Sequence, residues 1–149
     1  YYDYALIYVD KDISQYGVFS LGIALDQYVS DLGTVIASGF PQYTPSEYGD
    51  VWQATRFKAA GTIAPYKTNS FEIAHNADTT NGDSGGPLYV EEGFNVYMNN
   101  KTQLYEYKTV IGITSHGLTN IYTGEKLNVA VRIDANLLKF YCGNTTLTA

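Results

Sequence analysis

The segment Asn81-Gly82-Asp83-Ser84-Gly85-Gly86-Pro87-Leu88 sets one serine hydroxyl among glycines. A hydroxyl so placed suits attack on an acyl carbon. Attack leaves an oxyanion, which preorganised backbone N–H donors stabilise. Glycine ahead of the serine lets the chain turn so that the amides of Gly82 and Ser84 point into one small hole. Glycines behind it let a substrate come close. The same residues fit a G-x-S-x-G elbow, in which a helix follows the serine directly. Here Gly85-Gly86-Pro87 leads into the strand-like Leu88-Tyr89-Val90, which opposes the elbow, and the chain is short for such a fold. A glycine-rich surface turn without chemistry is the plain alternative.

The elements that must hold this segment are β-strands. Fifteen tyrosines, fourteen glycines and many Val, Ile and Thr favour strands and turns. Strand-like runs occur at Tyr4–Val9, Val18–Leu25, Thr34–Gly39, Val51–Ala60, Phe71–His75, Pro87–Val90, Leu104–Thr114 and Asn128–Ile133. Short strands at this spacing predict a barrel or sandwich. One helix is expected, capped by Asp134, running through Ala135–Tyr141 and stopped by Gly143. The polar tail 144–149 is expected to fray.

With 149 residues, the chain makes one domain. Nine Lys and Arg against fifteen Asp and Glu give a net charge of -6. Scattered acidic charge argues against a nucleic-acid partner and against a polybasic membrane anchor. Hydrophobic residues at 45% exclude a disordered solvating chain. The one cysteine, Cys142, allows neither an intrachain disulfide nor a cysteine-based zinc site. No apolar run is long enough to span a bilayer. No basic-then-apolar leader opens the chain, so a signal peptide is expected to have been removed or to lie upstream.

Gly82-Asp83-Ser84-Gly85-Gly86-Pro87 resembles the nucleophile signature of chymotrypsin-like serine proteases. Asp3-Tyr4-Ala5-Leu6-Ile7 resembles that family's triad aspartate ahead of a short apolar strand, and its distance from Ser84 is typical. Val110-Ile111-Gly112-Ile113-Thr114-Ser115-His116-Gly117 resembles the strand that runs beside bound substrate. The resemblance implies an all-β, chymotrypsin-like double β-barrel with a C-terminal helix. Residues 1–30 would end the first barrel, 31–133 form the second, and 134–142 form the helix. It implies a secreted serine endopeptidase acting on proteins or peptides, with Ser84 as nucleophile and Asp3 orienting a histidine. Gly82 and Ser84 would form the oxyanion hole, and Ser115, His116 and Gly117 would bind substrate. No cofactor or metal is implied. Thr34-Val35-Ile36-Ala37-Ser38-Gly39-Phe40-Pro41, Trp52 and Thr79-Thr80 look like the bacterial glutamyl endopeptidase (V8-like) branch.

The family's histidine precedes its aspartate, so it is expected upstream of Tyr1, on an N-terminal segment or companion chain. His75 and His116 are expected in structural or pocket-rim positions. Asp83 matches a buried carboxylate that needs a cation. The resemblance offers an amine freed by proteolytic processing or an arginine, and Arg56 and Arg132 are the two arginines. Asp78 matches the floor of the primary specificity pocket and implies Lys or Arg at the cleaved position; a turn-capping role is the alternative. Thr79 matches a pocket threonine of the V8-like branch, but the histidine on which that branch's Glu preference leans is replaced by Thr114, so the resemblance leans to Lys or Arg, with Glu or Asp as the alternative. An inactive, protease-derived binding module is the alternative of a different class. Asn100-Lys101-Thr102 and Asn144-Thr145-Thr146 are sequons that matter in a eukaryotic source.

Overall fold

The computed structural model describes residues 3–24, 26, 31–42, 56–98 and 101–144. Trp52, Leu25, the Val51–Thr55 part of one expected strand, Asn100 and the tail from 145 onward lie outside them. Seven strands form one sheet: β1 (Ser20–Leu21), β2 (Thr34–Gly39), β3 (Phe57–Thr62), β4 (Glu72–His75), β5 (Pro87–Met98), β6 (Lys101–Thr119) and β7 (Lys126–Arg132). The order is β3-β2-β5-β6-β7-β4, and β1 pairs in parallel with β6 at Thr109 and Val110. A bridge between Ile63 and His75, with Ala64 N–H donating to Ala74 O at 2.7 Å, brings the two ends of this order together. The sheet therefore curls on itself, as the resemblance implies. The predicted all-β architecture with one C-terminal helix is observed.

Small inward residues accompany the curl. In β2 and β7, Val35, Ala37 and Ala130 are buried. They meet Ile73, Leu88, Val90 and Ile111 in the main core, and inward small residues let the sheet bend tightly. The helix α1 (Ala135–Asn144) covers the opposite face of β5 and β6, where Tyr89, Val110, Ile133 and Leu137 pack with Tyr4. Asp134 Oδ1 accepts the Leu137 N–H at 2.7 Å, as its capping position predicts. Gly143 does not stop the helix, which includes it.

Two expectations differ from the structure. Tyr4–Val9 belongs to no strand among the described residues, so its apolar sequence does not enter the sheet. Among the described residues of Val18–Leu25, Ser20–Leu21 alone is strand. Conversely, β5 and β6 run well beyond their apolar segments. They pair continuously from Val90↔Thr109 to Met98↔Lys101, and each supplies the other's backbone partners.

Arg132 ties the N-terminal segment to the sheet. Its buried guanidinium donates to Asp26 Oδ1 at 2.5 Å, to Asn69 O at 2.9 Å and to Ala24 O. Arg132→Ala leaves two backbone carbonyls without their donor, so stability is expected to fall by about 3 kcal/mol. The urea midpoint measures it; an unchanged midpoint means the clamp contributes nothing.

Candidate active site

Ser84 lies in the loop between β4 and β5, and hydrogen bonds pin that loop from both sides. Asp83 N–H donates to Thr80 O at 3.1 Å, and Thr80 N–H donates back to Asp83 Oδ2 at 2.9 Å. Gly85 N–H reaches Thr114 O and Thr114 N–H reaches Gly86 O, both at 2.8 Å, so the loop is stitched to β6. Gly82 and Gly85 have φ of 98° and 84°, in the left-handed region that glycine alone enters freely. A Cβ on Gly82 would stand 2.5 Å from Phe40 O, so that position admits no side chain. Among the described residues the amides of Gly82 and Ser84 donate to nothing. No helix follows Gly85; β5 begins at Pro87, which removes the elbow.

A β-bulge supplies the next piece. Thr114 pairs with Ala130 and His116 with Val129, so Ser115 is left opposite no residue of β7. Bulges re-aim side chains beside functional sites. The freed Ser115 carbonyl accepts the Ser84 Oγ–H at 3.2 Å, and Ser115 Oγ donates to Asp3 Oδ2 at 2.5 Å. Ser84 and Asp3 thus meet across one residue. The helix holds Asp3 there indirectly, because Tyr4 packs edge-on against Phe140 with ring centroids 5.5 Å apart.

The same contacts fix a tautomer. Ser115 Oγ also lies 3.1 Å from His116 Nδ1. A hydroxyl has one proton, and here it goes to a carboxylate that can only accept. His116 Nδ1 must therefore carry the proton in that contact, and its Nε2 is the free lone pair when the ring is neutral.

A pocket of about 290 Å³ opens beside Ser84, lined by Thr79, Thr114, Ser115, His116, Gly117 and Asn128, among others. The Thr114 hydroxyl is buried and unpartnered among the described residues, while Asn128 Nδ2 donates to Ala77 O at 2.8 Å. Ser84 and the positions 79 and 114–117 named from the sequence are brought together here. Asp78 is not; it is exposed and lines a neighbouring cleft of about 260 Å³ with Asp83. Sequence reasoning missed that cleft, whose walls come from β2, β3 and the 78–83 loop. No local signal marks such a meeting of distant segments. Among the described residues no group of three or more His, Cys, Asp or Glu could hold a metal ion.

His75 is wholly buried on β4 and does not line the pocket. Neither ring nitrogen has a hydrogen-bond partner of good geometry among the described residues. Burial pushes its pKa down to about 4 from 6.5, with the nearby Ala77 backbone opposing this. Between those values the unfolded chain binds a proton that the folded chain refuses. Stability is therefore intact above pH 6.5 and falls by about 3 kcal/mol as pH drops to 4. Urea midpoints at pH 7 and 4.5 check this: His75→Leu should show a shallower acid loss than wild type, and equal slopes refute it.

A curled β-sheet with a terminal helix, a Gly-flanked serine and an aspartate one residue away define a chymotrypsin-like serine protease domain. The trypsin family profile matches residues 1–140, and the chain belongs to that family. No curated protein matches the chain.

Proposed function

We propose that the protein is a secreted serine endopeptidase that cleaves peptide bonds through an acyl-enzyme on Ser84. The observation that carries this reading is the pair of hydrogen bonds joining Ser84 to Ser115 and Ser115 to Asp3. In the first step an imidazole takes the Ser84 proton as Oγ bonds to the scissile carbon. The C–N bond then breaks and the amine leaves with that proton. Water adds to the acyl carbon and gives a proton to the imidazole; the C–Oγ bond then breaks, the imidazolium returns that proton to Oγ, and the carboxylic acid product leaves. The free amides of Gly82 and Ser84 are suited to hold the oxyanion in both steps.

The imidazole comes from an upstream segment or a companion chain. His75 is sealed in the core, and the Ser84 hydroxyl donates to the Ser115 carbonyl rather than to His116. Exposed apolar side chains between Ile7 and Ile23 support a covering partner, with Ile7 and Val18 each 82% exposed. Upstream residues would complete the first barrel there and bring the base to Asp3.

For the side chain bound beside Ser84, Asp78 favours Lys or Arg by charge, yet it lines the neighbouring cleft. The pocket's hydroxyl and amide lining, its unpartnered Thr114 hydroxyl and the V8-like features at Gly39-Phe40-Pro41 and Thr79 favour Glu or Asp. Peptides differing at that position decide the matter. Cleavage after Lys or Arg assigns the role to Asp78, and cleavage after Glu or Asp assigns it to Thr114 and its neighbours. Failure to cleave any peptide, with the upstream segment present, contradicts the protease reading and leaves the binding module.

A further inference from the structure

We propose that Asn128 is a specificity-determining residue of the pocket beside Ser84, and that the side chain it selects at the cleaved position is an uncharged carboxamide, Gln or Asn. The inference rests on the Ser84 reading above and adds a third class of side chain to the two charged ones.

Asn128 lies on β7, paired with His75 of β4 on one edge and with Gly117 of β6 on the other. One contact orients its amide: Nδ2 donates to Ala77 O at 2.8 Å. A carbonyl oxygen can only accept, so the NH2 end must face Ala77 and the oxygen end must face away from it. Oδ1 has no hydrogen-bond partner among the described residues. A Cβ on Gly117 would stand 4.0 Å from Oδ1, in van der Waals contact, so the glycine leaves this oxygen uncovered. Both residues line the 290 Å³ pocket.

The pocket offers a charged guest no opposite charge. Among the described residues no Lys, Arg, Asp or Glu lines it. An ammonium, a guanidinium or a carboxylate would lose its water there without gaining a counter-ion. A carboxylate would also turn its own lone pairs toward Oδ1. An apolar side chain would displace water from Oδ1 and leave it unpaired. A carboxamide avoids all three costs. It is uncharged, its NH2 can donate to Oδ1, and its oxygen can accept a hydroxyl proton. Thr79 lines the pocket, and its hydroxyl makes no hydrogen bond among the described residues. The buried Thr114 hydroxyl is a second one without a partner among them. His116 lines the same pocket and offers Nε2 to the other amide proton when its ring is neutral.

The test uses the full protein with its upstream segment, and peptides identical but for Gln, Asn, Glu, Met or Lys at the cleaved position. Met is close to Gln in size without its polar end, and Glu matches its shape with a charge. The better of Gln and Asn should exceed Met, Glu and Lys in kcat/KM by about thirtyfold, the scale of leaving a buried polar group unpaired. In Asn128→Leu the ratio of that carboxamide to Met should fall to within about threefold. A folding defect would lower both rates alike and leave the ratio standing. Where Asn128→Leu does not fold, Thr79→Val carries the test, and the ratio should drop by about fivefold. Wild-type preference for Glu, Lys or Met overturns the inference while the protease reading stands. An unchanged ratio in the variant that folds overturns it as well. If no peptide is cleaved and a fluorophosphonate leaves Ser84 unlabelled, the protease reading fails, and calorimetry with the same peptides decides the pocket. Binding of a carboxamide peptide about tenfold tighter than the Met peptide upholds the role of Asn128, and equal affinity overturns it.

Discussion

Ser84→Ala is expected to lower peptide turnover by about a millionfold, the scale on which a serine nucleophile of this kind acts. The fold should survive intact. Ser84 is exposed, and its hydroxyl makes one side-chain hydrogen bond, 3.2 Å long, to the Ser115 carbonyl. Losing it leaves an acceptor within reach of water, so stability should change by less than about 0.5 kcal/mol. The loop is held instead by backbone bonds at Thr80, Thr114 and Gly86, none of which uses the hydroxyl. The two measurements are kcat on a cleaved peptide and the urea midpoint. Lost activity with an unmoved midpoint identifies the hydroxyl as the reacting group. Retained activity places the chemistry elsewhere.

Asp3→Asn should lower kcat by about ten-thousandfold with little change in KM. Asp3 does not line the pocket beside Ser84. Its carboxylate accepts the Ser115 hydroxyl and can accept the N–H of an imidazole arriving from upstream. That acceptance keeps the imidazole's other nitrogen free to receive the Ser84 proton. An asparagine can turn its NH2 toward the ring, which favours the opposite tautomer and removes the charge that stabilises the imidazolium. Ser115 would also lose its carboxylate acceptor, so its oxygen would be free to pair differently with His116 Nδ1. Asp3 is exposed, so stability should not fall. A comparable loss in KM rather than kcat would assign Asp3 to substrate binding.

The chemistry is more legible in the sequence than the architecture around it. Gly82–Pro87 is legible because each glycine answers a local demand: a left-handed φ at 82 and 85, and no room for a Cβ at 82. The strands β2, β4 and β7 and the Asp134 cap are legible from strand-forming composition and from capping, which are local as well. The bulge at Ser115 is not. It is a mismatch of register between β6 and β7, and both strands look regular when read alone. The extent of the β5–β6 pair exceeds its apolar core because backbone pairing carries it through polar positions. Tyr4–Val9 has the residues of a strand but belongs to none among the described residues. Arg132, one of the two arginines that could meet Asp83, is instead held by Ala24 and Asp26, a contact that no spacing rule anticipates. Asp78 stands in the position of a pocket floor by sequence, yet the turn of the 78–83 loop gives it to the neighbouring cleft.

The most direct measurement is peptide mapping of the protein, with its upstream segment, after reaction with a fluorophosphonate. One probe per molecule, attached at Ser84 and absent in the Asp3→Asn variant over the same time, is the predicted result. An unmodified Ser84 in a folded sample, or modification spread over other hydroxyls at equal rates, contradicts an activated serine at this site.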